Sequence, residues 1–175
     1  MMSQAGGMDV NSLMQKVRRL AMLDTTVFDE VRGDASYTLP AAVVAVVSTV
    51  LFALGGWLWW IFNGPDSQFA PDAGEILVKS VLVGSILSVV LWAVWVGLSY
   101  VILTQVFRAR GDLNELVRVM GFGAAPLALG ILMFIPVLDF SIGLTAVALL
   151  FGATFVGVQT ATDAPAGRTL VAVAA

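Results

Sequence analysis

The chain contains no cysteine and no histidine. Structural zinc sites, iron–sulfur clusters and redox-active thiols use thiolate or imidazole ligands, so these sites are strongly disfavoured. Haem ligation through histidine and acid–base catalysis by histidine are excluded outright. We therefore predict no metal and no cofactor, and no group of residues looks like a catalytic site.

Charge is scarce as well. Asp, Glu, Lys and Arg make up 12% of the 175 residues, whereas 59% of the residues are hydrophobic. A soluble domain carries about 25% charged residues. So few charges do not cover a soluble surface, and lipid must form part of the solvent. The net charge of -3 says little about partners, and no dense basic patch indicates binding to nucleic acid.

Long apolar runs predict an all-α polytopic transmembrane helical bundle. The predicted spans cover about 39–62, 75–107, 122–137 and 141–159. A further apolar run, 169–175, covers only about 10 Å as a helix, so we expect 168–175 to start a fifth span whose remainder would lie beyond Ala175. We divide the chain into a cytoplasmic N-terminal segment, 1–36, and a transmembrane bundle, 37–175.

Short amphipathic helices precede the first and third spans. One is predicted between Asp9 and about Leu23, and a second ends near Gly33. Both are expected to lie against the inner leaflet. A third short helix is expected around 113–120, where Arg118 falls off the apolar face. Pro126 should then kink the third span or separate it from this helix.

Basic residues set the orientation of a membrane protein. If all four spans exist, eight of the nine basic residues lie on one side of the membrane: Lys16, Arg18, Arg19, Arg32, Arg108, Arg110, Arg118 and Arg168. Lys79 alone lies on the other side. The N-terminus is therefore predicted to be cytoplasmic.

Three features follow one another along the chain. A short acidic helix, 27–31, precedes the first span, and the segment 110–116 leads into a turn that contains Gly121, Phe122, Gly123 and Pro126. The later spans are tightly paired within a five-span plan. Together these features resemble the Yip family of multi-spanning membrane proteins, named for its Ypt/Rab-interacting members. The family often has a similar glycine–aromatic–small–x–x–proline turn, with Tyr where this chain has Phe122.

The resemblance implies a fold and a membrane location, with little about a task. The chain is similar in style to bacterial members, which implies the bacterial cytoplasmic (inner) membrane. Because bacteria lack the Rab trafficking system, the family's link to Rab proteins is not carried over.

Small residues recur every fourth position on two spans, which lets helix backbones approach closely. These residues are Ser80, Gly84, Ser88, Ala93, Gly97, Ala148 and Gly152. They indicate packing within the chain's own bundle or, as the alternative, docking against another protein. Trp92 and Trp95 lie three residues apart and indicate a lipid-facing or core stripe. The alternative for these two is stacking on a bound pigment or quinone.

Three functions remain open on the sequence. The first is a non-catalytic accessory subunit that packs against other integral membrane proteins in a larger complex, with a respiratory or photosynthetic complex as the guessed type. The second is a membrane-organising adaptor that recruits cytoplasmic partners, which the Yip resemblance implies. The third is a small transporter, for which Asp139 and Lys79 are the charged candidates. A bound lipid would be compatible with any of the three.

Overall fold

The computed structural model describes residues 10–22, 24–65 and 71–175. The predicted ends of the first amphipathic helix, Asp9 and Leu23, lie outside the described residues. So does the part of the loop after the first span that covers 66–70.

Within the described residues, all regular structure is helical, which confirms the predicted all-α bundle. The helices are α1 (Val10–Ala21), α2 (Thr26–Gly33), α3 (Thr38–Asn63), α4 (Ala73–Val106), α5 (Leu113–Gly123), a 3-10 helix (Ala125–Phe134), α6 (Asp139–Ala161) and α7 (Ala166–Ala174). A single 3-10 turn, Ala35–Tyr37, leads into α3. Four of them, with α5 and the 3-10 helix taken as one, are long and apolar enough to cross a membrane.

Helix α4 is the longest and the most outward-facing of the four. Its 34 residues give a length of about 51 Å against a hydrocarbon core of about 30 Å, so it must tilt or project. Two stretches, Leu77–Val83 and Ile102–Val106, have the wider π-helical geometry. Only 17% of the residues in its most apolar 18-residue stretch are buried, so most of this helix faces away from the described bundle.

The third crossing element differs from the prediction. The expected short amphipathic helix and the third span form one element, Leu113–Phe134, which changes from α to 3-10 geometry at Ala124. Pro126 lies in the first turn of the 3-10 helix, where its missing N–H leaves no hydrogen bond unmade. Ten residues rise about 20 Å as a 3-10 helix and about 15 Å as an α-helix, so the stretched form carries a short apolar run further across the bilayer.

The apolar face of α2 is covered by protein, so the prediction that this face packs on the inner leaflet is wrong. Val27, Phe28 and Val31 are fully buried against α5 and α6. A Cβ added to Gly157 would lie 3.1 Å from Phe28 Cδ1, so this glycine makes the notch that receives the ring. The apolar face of α2 thus packs on the helices of the bundle.

The main core lies at the end of the bundle that contains α2 and α5. The largest fully buried side chains there include Leu103, Leu116, Met120 and Phe122, together with those of α2. At the opposite end, the amide of Asn63 donates to Phe134 O and the indole of Trp57 donates to Ala73 O. These two hydrogen bonds tie the end of α3 to the 3-10 helix and to the start of α4.

Candidate functional site

The glycine–proline turn (residues 121–126) joins three helices at very short range. A Cβ added to Gly121 would lie 2.6 Å from the carbonyl oxygen of Ala41 in α3, and one added to Gly123 would lie 3.2 Å from Cα of Thr154 in α6. Both neighbours are backbone atoms, which cannot swing aside as a side-chain tip can. Glycine at these two positions therefore allows direct backbone contact between α5 and both partners.

Phe122 and Arg118 fix the same region from the side of α2. Phe122 is fully buried, and its ring meets that of Tyr37 edge-on at 6.1 Å. Arg118 is only 6% exposed; it donates to Thr38 Oγ1 at 3.1 Å and to the carbonyl oxygen of Arg32 at the end of α2. A guanidinium at a helix C-terminus interacts favourably with the helix dipole.

The sequence predicts that Arg118 lies off the apolar face of a short amphipathic helix, but it does not predict that this side chain is buried. The helix that carries Arg118 packs against α2, α3 and α6, which cover the guanidinium. The sequence does contain a signal, because Arg118 is the only charged residue between 116 and 138. A single charge within a crossing element indicates a defined polar contact.

A cavity of about 700 Å³, here called the first groove, lies between α3, α4, the 3-10 helix, α6 and the end of α7. Five of the residues singled out from the sequence line it, namely Ser80, Gly84, Ser88, Trp92 and Trp95. The wall opposite is formed in part by Phe52 and Gly56 of α3. The small-residue face of α4 thus lines an open space within the described bundle.

The close helix contacts occur at other glycines. A Cβ added to Gly84 would meet only Lys79 O of its own helix, at 3.5 Å, and one added to Gly97 or Gly152 would meet nothing within 4 Å. In contrast, a Cβ on Gly55 would lie 1.8 Å from the carbonyl oxygen of Gly130. The four-residue spacing in the sequence identified small residues on α4 and α6. It did not identify Gly55 and Gly130, where the backbones of α3 and the 3-10 helix meet.

The two tryptophans of α4 have different surroundings. The indole N–H of Trp95 donates to Val173 O of α7 at 2.9 Å, and its ring meets Phe151 edge-on at 5.6 Å. Ser99 donates to the neighbouring Ala172 O at 3.0 Å. Trp95 thus holds α7 and α6, whereas the buried indole nitrogen of Trp92 has no acceptor among the described residues.

A second cavity, of about 530 Å³ and here called the second groove, lies between α1, the 3-10 helix and α6. Ala148 and Gly152, the other small-residue pair identified from the sequence, line it. The glycine–proline turn and the start of the 3-10 helix separate the two grooves. Ala124 and Leu127 face the first groove, and Phe122, Ala125 and Pro126 face the second.

A comparison with protein-family models matches the Yip1 domain over residues 24–175. The chain belongs to the Yip1 family. Comparisons with curated proteins and with solved structures gave no significant match. The family and the four apolar helices make this a multi-pass integral membrane protein in contact with the lipid bilayer.

The Yip1 match contains both grooves' main walls, because it includes every helix from α2 to α7. Helix α1 precedes the match and lies across the second groove, with Val17, Leu20 and Ala21 in its wall. Helix α1 packs along one narrow face, because Leu13, Val17 and Leu20 lie against the core whereas Val10 and Met14 are more than 60% exposed. It is therefore an addition to the Yip1 domain that depends on a small contact area.

Charged residues at the far end of the Yip1 domain are accounted for locally. Lys79 pairs with Glu75 one helical turn earlier, as its spacing indicates, and both side chains are exposed. Asp139 is the first residue of α6, where the positive end of the helix dipole stabilises its carboxylate. Among the described residues, no group of three or more Asp and Glu could hold a metal ion.

An ion-pair network, here called the α1 clamp, attaches α1 to α2. Lys16 pairs with Glu30, and Arg19 contacts Asp24 at 2.8 Å and Glu30 at 2.7 Å. Hydrogen bonds from Lys16 and Arg19 lower the pKa of the Glu30 carboxyl from its ordinary value. Hydrogen bonds from Thr26 and Arg19 likewise lower the pKa of Asp24.

The α1 clamp predicts that acid releases α1. A carboxyl whose pKa is lowered by folding contributes stability above its ordinary pKa, and this contribution is lost as the pH falls through the lowered value. Release should therefore begin below about pH 4. Because the chain has no cysteine, spin labels can be placed at Met14→Cys and Asn114→Cys, and the distance between them should be narrow at neutral pH and broad in acid.

The matched control carries Asp24→Asn together with Glu30→Gln and should give the broad distance distribution at both pH values. A narrow distribution that persists in acid would contradict the clamp, since the apolar contacts of α1 would then suffice.

Proposed function

We propose that this Yip1 family protein is a non-catalytic membrane component that receives a transmembrane helix of another membrane protein in the first groove. The observation that carries this proposal is the open small-residue face of Ser80, Gly84 and Ser88 on α4. Because lipid is as apolar as a leucine-rich helix, helices associate in a membrane through close packing and hydrogen bonds. A face without large side chains allows close packing, and its hydroxyl groups can form hydrogen bonds with the incoming helix.

The polar atoms around the first groove fit a helix better than they fit an ion or a hydrophilic substrate. Trp92 has a buried indole N–H without an acceptor among the described residues, and a backbone carbonyl or a hydroxyl of an incoming helix would satisfy it. Most of the side chains that line the groove are apolar. Among the described residues, no Asp, Glu, Lys or Arg side chain lines it, which weighs against transport of ions through the groove.

The adaptor alternative has less support from the geometry. It needs N-terminal helices that are free to bind soluble proteins, but the apolar face of α2 is fully buried in the bundle. Only α1 has exposed apolar residues of that kind, among them Val10 and Met14. Removal of residues 1–33 would therefore damage the core. Such a deletion could not distinguish an adaptor from a subunit that binds a membrane helix.

The proposed setting is the bacterial cytoplasmic membrane, with the N-terminus in the cytoplasm. Its support is the location of eight of the nine basic residues on one side of the four crossing elements. Contacts at that end agree with this arrangement, because Arg118 reaches Arg32 O and Arg168 lies over the ring of Phe107.

The test is extraction of the full chain from native membranes in a mild detergent, followed by native gel separation and mass spectrometry. The wild-type protein should migrate with a fixed set of membrane proteins. Gly84→Leu should reduce the recovered partner about tenfold or more, since the new side chain fills the groove. Gly97→Leu is the matched control, because it makes the same change on the same helix at a position that does not line the groove and where an added Cβ meets no atom within 4 Å.

Three results would contradict the proposal. The protein could run alone at its own mass, or Gly84→Leu could retain its partner as the wild type does. Alternatively, Gly84→Leu could lower the thermal stability of the purified chain, which would mean that this chain fills its own groove. The identity of a recovered partner would also decide whether the complex is respiratory, photosynthetic or of another kind.

A further inference from the structure

The second groove has walls that are almost entirely apolar. Thr25 is the single polar residue among those that line it. A water molecule in a cavity needs two to four polar partners, and apolar cavities of this kind stay dry. The groove therefore needs an apolar occupant, or its walls lose the contacts that filled space would give them.

The open side of the second groove faces the surroundings of the bundle. Ala148, Leu149 and Gly152 of α6 line the groove and are also exposed, so the space continues outward between these small residues. In a multi-pass membrane protein this surface meets the hydrocarbon of the bilayer. Hydrocarbon chains are thus the molecules that reach the opening, and Gly152 leaves room for one to enter.

One end of the groove lies at the level of charged residues. Val17, Leu20 and Ala21 of α1 form part of the wall, and Arg18 lies between them in sequence on the exposed side of the helix. Lys16 and Arg19 are neutralised by the α1 clamp. The side chain of Arg18 makes no hydrogen bond or ion pair with a described residue. It is therefore a cation with no described counterion, and it lies beside an apolar slot.

We propose that the second groove is a specific phospholipid site, in which one acyl chain lies between α1, the 3-10 helix and α6 and the phosphate pairs with Arg18. The apolar slot matches the acyl chain of a phospholipid, and the flanking cation matches its phosphate. No other component of a bilayer fits this combination equally well. A volume of about 530 Å³ is within the usual range of about 300–1,000 Å³ for ligand pockets. The net attraction of a basic residue for an anionic headgroup makes an anionic phospholipid the preferred ligand.

This inference does not depend on the proposed function, because it concerns another groove and another kind of ligand. The experiment uses the full chain in nanodiscs made of phosphatidylcholine and phosphatidylglycerol, then released into detergent and analysed by native mass spectrometry. The wild-type protein should keep one phospholipid through the transfer. Phosphatidylglycerol should be enriched in the retained lipid relative to its share in the nanodisc.

Gly152→Phe should fill the groove and lower the occupancy by about tenfold or more, because an acyl chain gains affinity with each methylene group that it buries. Gly97→Phe is the matched control, since Gly97 also has open space around it and lines neither groove. Arg18→Gln should keep the lipid but abolish the enrichment of phosphatidylglycerol. If Gly152→Phe fails to insert, Ala148→Leu narrows the same groove with a smaller side chain.

Retention of the lipid in Gly152→Phe or in Ala148→Leu at the wild-type level would overturn the proposal. Absence of a retained lipid on the wild-type protein would do the same. Equal enrichment of phosphatidylglycerol in the wild type and in Arg18→Gln would remove the role of Arg18.

Discussion

Replacement of Gly55 by alanine should lower the stability of the bundle by about 3 kcal/mol or more, although it adds a single methyl group. The new Cβ would lie 1.8 Å from the carbonyl oxygen of Gly130 and 3.0 Å from Cα of Ile131. All of these neighbours are backbone atoms, so α3 and the 3-10 helix would have to move apart. The measurement is thermal unfolding of the purified protein in detergent.

The adjacent residue provides the control for this prediction. A Cβ added to Gly56 would meet no atom within 4 Å, and alanine is favoured over glycine in a helix by about 1 kcal/mol. Gly56→Ala should therefore leave the unfolding temperature unchanged or raise it. Equal unfolding temperatures for the two variants would show that α3 and the 3-10 helix do not approach as closely as described.

Phe28→Ala should cost about 3–5 kcal/mol, the range for removal of a fully buried aromatic side chain. The ring fills the space left by Gly157, so its loss creates a cavity between α2, α5 and α6. The same variant would have little effect if α2 lay on the leaflet as the sequence suggested. Unfolding monitored by circular dichroism distinguishes the two arrangements.

Phe140→Ala is the matched control for Phe28→Ala, because Phe140 lies on α6 and is 76% exposed. This variant should change the stability of the protein in detergent by no more than about 0.5 kcal/mol. A similar loss of stability in both variants would argue that Phe28 contributes only its general hydrophobicity.

Composition and hydropathy were sufficient to predict the class of fold. Runs of apolar residues long enough to cross a bilayer leave few alternatives to helices, because every backbone polar group must be satisfied internally. The order of the acidic helix, the glycine–proline turn and the later spans was sufficient to identify the family. These signals are local in the sequence and do not depend on which helices become neighbours.

The contacts between helices were not predictable in the same way. Four-residue spacing identifies a small face on α4 but does not tell which helix, if any, packs on it. Gly55 and Gly130 lie 75 positions apart and carry no shared spacing, yet their backbones approach so closely that a Cβ on Gly55 would overlap the carbonyl oxygen of Gly130. The burial of Arg118 depends on α2, α3 and α6 closing around α5, which periodicity within α5 alone cannot report.

The two grooves share a wall that is one backbone thick. Neighbouring residues of the same segment face opposite sides, with Ala124 and Leu127 toward one groove and Ala125 and Pro126 toward the other. Any shift of this wall that improves the fit of one occupant changes the fit of the other. By thermodynamic linkage the effect is mutual, so a partner helix that alters the affinity for lipid by some factor has its own affinity altered by the same factor.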